Sequence, residues 1–151
     1  TREPCWPESI HGSITHSGNL SAVAVGSTRD ISGIGLDLED LSRKIDFKLR
    51  KHICLKDELE WLKKFKPEQA NRNLRIIFSA KESIFKCLFP ISKTYLHFKD
   101  ANINVNLDEY NFSYKLSRAC SGITEVGFEH KGFFAIKNDF LLTSTYIRSF
   151  N

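Results

Sequence analysis

The stretch GIGLDLED, Gly33–Asp40, sets Asp37 and Glu39 two residues apart behind a short apolar run. In an extended strand, positions i and i+2 share a face, so both carboxylates leave one side while Leu36 and Leu38 point the other way, toward a core. Two neighbouring acids repel unless water or a cation relieves them. Their oxygens suit Mg²⁺, which takes one or two protein carboxylates and completes its octahedron with water and substrate phosphates. A solvated strand end without metal is the plain alternative. Forty-two residues separate Glu39 from Glu82 in FSAKESIFK, Phe78–Lys86. Glu82 and Lys86 are i and i+4 and share a helix face, either as an ordinary surface pair or as chemistry. In the second case Glu82 is a ligand or general base, and Lys81 and Lys86 neutralise charge on a phosphate. His16, in GSITHSG with Ser13, Thr15 and Ser17 around it, is a structural histidine or part of an anion site.

The elements that must position these groups are legible in the pattern. SITHS, SAVAV and GIGLDL, within residues 13–38, are short apolar runs separated by Gly, Asn and Ser, and predict strands. Residues 42–88 have helical character, with Ser42 and Asp57 as expected N-caps and Pro67 as a break. A longer helix is expected over Glu68–Leu88, ending before Pro90, with Leu74, Ile77, Ile84 and Leu88 as its core stripe. INVNL, NFSYKLS, ITEVGFEH, GFFAIK and FLLTSTYI then predict strands of an antiparallel sheet. Strands, helices, strands is the order of an α+β domain with helices packed on one face of the sheet.

Composition narrows the class. Hydrophobic residues make up 41% and charged residues 26% of 151, as in an ordinary globular chain. No apolar run reaches the ~18 residues of a membrane span, and the polar start TREPCWPES is unlike a signal peptide, so the cytoplasm is expected. Cys5, Cys54, Cys87 and Cys120 form no C-x-x-C pair and are expected to be free thiols. The net charge is +4, but Arg43–Lys66 carries nine basic residues against four acids, a surface suited to an anionic partner. The remaining histidines, His11, His52, His97 and His130, lack metal-ligand spacing, and no P-loop, dinucleotide or nucleophile-elbow motif occurs.

Taken in order, GIGLDLE and FSAKESIFK resemble the two-part signature of the 4′-phosphopantetheinyl transferases, with Leu36 in place of the usual Ile or Val. WPESIHGSITHSGNLSAVAV is similar to a segment of the larger, surfactin-type branch, and FSAKES followed by FK is nearest the enterobactin-synthase component D type. The resemblance covers about residues 5–89 and implies that family's fold, with residues 1–30 ending a first half-domain and residues 31–151 forming the Mg²⁺-binding unit. It implies an Mg²⁺-dependent enzyme that moves the 4′-phosphopantetheine arm of coenzyme A to a serine of an apo acyl, aryl or peptidyl carrier protein, releasing adenosine 3′,5′-bisphosphate. The pathway implied is siderophore or other nonribosomal peptide synthesis. Asp37, Glu39 and Glu82 would hold the metal, Glu82 would take the serine proton, and Lys86, with Lys81, would steady the phosphate. His16 and Ser17 would contact the 3′-phosphate. A monomer acting without nucleic acid or a membrane span is implied.

The Thr-His-Ser segment begins almost at the N-terminus and the chain has no methionine, so a truncated piece, inactive alone, is also expected. Two other readings stand beside the transferase. One is a non-catalytic basic module binding an acidic protein; nucleic acid fits less well, since no recognition motif occurs and the acids would repel phosphate. The other is a different Mg²⁺-dependent phosphotransferase or hydrolase using the same acids.

Overall fold

The computed structural model describes residues 3–120 and 122–150; the outermost positions of the two expected segments, 1–2 and 151, lie outside these residues. Strands β1 (Ile10–Ser17) and β2 (Leu20–Ser27) form an antiparallel hairpin turned at Gly18, whose positive φ of 58° suits a residue without a side chain. β3 (Ile31–Asp40) follows and forms one edge of a five-stranded antiparallel sheet. Two short helices, α1 (Arg50–Ile53) and α2 (Lys56–Leu62), lead to the long α3 (Pro67–Ser92). β4 (Ala101–Asn106), β5 (Asn111–Leu116), β6 (His130–Lys137) and β7 (Phe140–Arg148) complete the sheet in the order β3-β7-β6-β5-β4. This is the α+β architecture expected, with α3 packed on one face.

Alternation along the strands builds the core under α3. Phe112, Tyr114 and Leu116 of β5 and Leu141 and Ile147 of β7 meet Leu74, Ile77, Ile84 and Leu88 of α3, all buried. Pro67 proves to be a starter rather than a break, since at the first helical position its missing N–H costs nothing. The helix also runs through Pro90 to Ser92, because a proline one turn from the end forfeits one hydrogen bond only. Ser42 and Asp57 are not N-caps. Asp46 caps the turn before α1 by accepting from Lys48 N–H, and Glu58 Oε2 accepts from Leu55 N–H ahead of α2 (2.8 Å). ITEVGFEH is not a strand but a turn region with one isolated bridge, Cys120 to Thr124, where Gly127 takes a φ of 77°. Leu36 and Leu38 are buried, but on the face away from α3 and outside the continuous core.

The closest approach in the fold is between α3 and β3. A Cβ on Gly35 would stand 1.9 Å from the Ser83 carbonyl, and one on Gly33 would stand 2.7 Å from that of Cys87. Those atoms are helix backbone and cannot rotate away. Gly35→Ala is therefore expected to cost at least about 3 kcal/mol in urea unfolding, against about 1 kcal/mol for Gly18→Ala, whose neighbourhood is open. Equal costs would show that the helix is not held as closely as this.

Candidate active site

Four residues on, β3 leaves the glycines and carries the acids on the same face. α3 matches them residue for residue. Ser79 Oγ donates to Asp37 Oδ2 (2.8 Å), and the Thr143 hydroxyl of β7 donates to the Ser79 carbonyl (2.9 Å). Lys86 Nζ donates to Asp37 Oδ1 (3.0 Å), so both oxygens of this carboxylate, 8% exposed, are engaged. Arg75 holds Glu39 Oε2 through Nε and Nη2, both at 2.9 Å. Glu82, half-buried, feels the charges of Asp37 and Lys86. Asp37 is thus the hub of a group containing Glu39, Glu82 and Lys86.

The free edge of β3 is closed in an unusual way. β1 does not form a backbone ladder with it. Instead the buried Ser13 and Thr15 hydroxyls accept from Leu36 N–H and Leu38 N–H, each at 3.0 Å. Thr15 Oγ1 also accepts from Lys86 Nζ (3.3 Å), so the hairpin reaches the acid site through one hydroxyl. His16 is the next residue along β1, points to the opposite, exposed face of the hairpin, and is not brought beside the carboxylates; Ser17 shares the Thr15 face.

Lys81 requires a correction. It was expected at a phosphate, but its side chain is 2% exposed and buried on another side of α3, where Nζ donates to Glu58 Oε2 (2.8 Å) and to the Ile53 carbonyl (2.7 Å). Glu58 Oε1 in turn accepts from Ile103 N–H (2.7 Å), so the pair pins α2 and β4 to α3. Lys81 was the weaker candidate of the two lysines, and five residues on a helix place it about 140° from Lys86. Arg75, Ser79, Thr15 and Glu58 were not singled out as site residues, because their partners lie 23 to 71 residues away in sequence. All four cysteines are free, as expected; Cys54, Cys87 and Cys120 are buried, and burial pushes the Cys54 and Cys87 thiols up to about 12.

Burial, then the Asp37 charge, raises the pKa of both Glu39 and Glu82; Arg75 opposes the shift at Glu39 and Lys86 opposes it at Glu82. Repelling, partly desolvated carboxylates beside an inserted ammonium are what a divalent cation would relieve, and the donors are hard oxygens throughout. Among the described residues no three acidic, His or Cys side chains converge into a ready-made metal cage. Mg²⁺ does not need one, because it keeps several waters and binds through one or two carboxylates. The residues fit the ion in kind.

Beyond Arg75 lies a cleft of ≈ 1070 Å³ between the 41–66 segment and the first turns of α3. Its floor includes Phe47, Leu59, Leu62 and Phe65, and its rim carries Arg43, Lys44, Arg50, Lys51, Lys63 and Arg72. No helix among the described residues is long and apolar enough to cross a membrane.

The same fold, judged by superposition, occurs in two solved structures. One is a holo-(acyl-carrier-protein) synthase from Bacillus anthracis in complex with CoA (3′,5′-ADP), with TM-score 0.57 and 19% identity, covering 80% of this chain and 99% of that one. The other is a holo-ACP synthase from Plasmodium yoelii, with TM-score 0.57, 18% identity and coverage of 80% and 97%. The sequence profile of the 4′-phosphopantetheinyl transferase superfamily matches residues 33–125. The transferase Svp of Streptomyces mobaraensis is 32% identical over 114 residues, 75% of this chain and 46% of the relative. PptT of Mycobacterium tuberculosis is 32% identical over 106 residues, 70% and 46% respectively. The chain belongs to the 4′-phosphopantetheinyl transferase superfamily, and it spans about half the length of the curated relatives it matches.

The raised Glu82 pKa gives a signed prediction. A carboxyl whose folded pKa lies above its ordinary 4.5 favours the fold while protonated; that contribution is complete below 4.5 and is lost as pH rises through the raised folded value. In EDTA, Glu82→Gln is expected to have a higher urea midpoint than the parent at pH 8, with the difference disappearing toward pH 4.5. A difference independent of pH would contradict the raised value.

Proposed function

We propose that this chain carries the Mg²⁺ and coenzyme A site of a 4′-phosphopantetheinyl transferase acting on an apo carrier protein. The observation that supports it best is the hub at Asp37, where Lys86 sits at 3.0 Å and Glu39 and Glu82 both lie within its field. Asp37, Glu39 and Glu82 would hold the metal, and bound Mg²⁺ would neutralise the coenzyme A pyrophosphate. The carrier serine Oγ attacks the phosphorus next to the pantetheine arm while the P–O bond to adenosine 3′,5′-bisphosphate breaks. Glu82 takes the serine proton, directly or through a metal-bound water. Lys86 would steady the pyrophosphate charge with its ammonium. His16, on the exposed face of β1, would contact the 3′-phosphate; Ser17 lies on the opposite, Thr15 face and would not share that contact.

The basic cleft is the docking face for the carrier, which is acidic and would be steered by charge. Its amphipathic lining suits a helix with an acidic rim. The resemblance of FSAKES…FK to the enterobactin-synthase component D type supports the reading of a surfactin-type enzyme acting in the cytoplasm on an aryl or peptidyl carrier of siderophore synthesis.

A second reading has its own observation. Ile14, Val23 and Val25, on the outward face of the hairpin with His16, are 45%, 59% and 57% exposed. Such an apolar surface around a proposed nucleotide contact favours a chain that binds coenzyme A but transfers nothing until this face is covered.

Mass spectrometry of an apo aryl carrier protein incubated with this chain, coenzyme A and Mg²⁺ decides between them. A gain of about 340 Da, the phosphopantetheine arm, lost in EDTA and reduced at least about 10³-fold by Glu82→Gln, is the expected outcome. Mg²⁺-dependent coenzyme A binding without transfer supports the second reading. Neither transfer nor binding overturns both.

A further inference from the structure

Arg75 belongs to no motif, yet it makes more specific contacts than any other cation near the acids. Besides its two bonds to Glu39 Oε2, Nη1 donates to the Arg43 carbonyl (2.8 Å) and Nη2 to the Asp40 carbonyl (3.2 Å). The side chain is 12% exposed. One helical turn later Ser79 performs the matching act on Asp37, taking Oδ2 and leaving Oδ1 on the Lys86 side. Glu39 therefore has Oε2 fixed by Arg75, while both oxygens of Asp37 are held from α3, Oδ2 by Ser79 and Oδ1 by Lys86. The carbonyls of Asp40 and Arg43 belong to the turn where the chain leaves β3 to form the rim of the basic cleft, and Arg75 lines that cleft itself.

We propose that Arg75 is the positioning residue of the acid site: it holds Glu39 beside Asp37 with one oxygen free, and fixes that carboxylate to the turn at 40–43. The inference rests on the reading of the acids as a divalent-cation site. Three separate nitrogens of a planar fork reach the carboxylate and the two carbonyls at once; a lysine has a single nitrogen and cannot occupy all three places. Outer groups that orient a ligand typically matter about 10- to 100-fold in metal affinity.

Charge and positioning predict opposite signs here. Removing a cation near the acids should by itself tighten binding of a divalent ion, whereas losing the grip on Glu39 should weaken it. The test is Mn²⁺ alone as probe, with free ion counted by electron paramagnetic resonance, on the parent chain, Arg75→Met, Arg75→Gln, Arg75→Lys, Glu39→Gln, Asp37→Asn and the double variant Arg75→Met with Glu39→Gln. Circular dichroism confirms folding, and Arg75→Gln and Arg75→Lys serve where Arg75→Met does not fold. The expected result is a Kd weakened about tenfold in Arg75→Met, with Arg75→Lys failing to restore it and with less than a twofold further loss once Glu39 is Gln. Tighter or unchanged Mn²⁺ binding in folded Arg75→Met overturns the proposal, as does an equal loss in the Glu39→Gln background, which would make Arg75 only a clasp on the turn. Parent chain and Asp37→Asn binding Mn²⁺ equally poorly would overturn the cation reading itself, and the proposal with it.

Discussion

The candidate site depends on one contact, that of α3 lying directly on the edge strand β3. Two residues of strand advance about 6.6 Å and four residues of helix about 6.0 Å, so the two rows stay nearly in step. The helix row 75, 79, 83, 87 falls on the strand row 39, 37, 35, 33. Where the strand supplies Gly35 and Gly33, backbone meets backbone and the spacing is set. Where it supplies Asp37 and Glu39, the same spacing brings carboxylates within reach of Ser79 and Arg75. Bulk at the glycines would lift the helix and separate the acids from their partners at the same time.

Two further attachments hold the other sides of this contact. The buried Glu58–Lys81 pair joins α2, β4 and the middle of α3, with all its contacts to backbone or to each other. Such a pair is weak evidence for net stability, but removing one partner leaves a buried charge unpaired, which typically costs about 3–5 kcal/mol. On the far side, Ser13 and Thr15 satisfy the amides of the exposed β3 edge without adding a strand to the sheet. That leaves the hairpin attached by hydroxyls, with Thr15 also touching Lys86. The resulting site is electrostatically tense: Asp37 is shared by a lysine and a serine while two glutamates nearby are pushed toward protonation.

The acids and the Glu82–Lys86 pair were legible because strand and helix periodicities are local properties. Alternation put Asp37 and Glu39 on one face, and the i, i+4 rule put Glu82 beside Lys86. What alternation could not say is which face is covered. The apolar Leu36 and Leu38 looked core-facing, yet the helix chose the glycine side, because only there can its backbone approach. Lys81 was misplaced for a similar reason: its role depends on Glu58, 23 residues away, and pairings at that distance leave no periodic trace. Arg75 and Thr15 act on backbone and side chains 23 to 71 residues distant, so nothing beside them in sequence advertises them. ITEVGFEH has strand-like alternation, but its Gly127 needs a left-handed backbone and bends it out of any ladder. The fold class, set by element order, was accessible; the partners that hold the site open were not.

The central claim is that Asp37 and its neighbouring glutamates are one cation site at the α3–β3 contact. The most direct measurement is an anomalous difference map at the manganese edge from crystals of this chain grown with Mn²⁺ and coenzyme A. The account predicts a single peak in contact with oxygens of Asp37, Glu39 and Glu82, with Lys86 Nζ displaced from Asp37 toward the pyrophosphate. Manganese bound elsewhere, or Lys86 still on Asp37 with coenzyme A present, would contradict it.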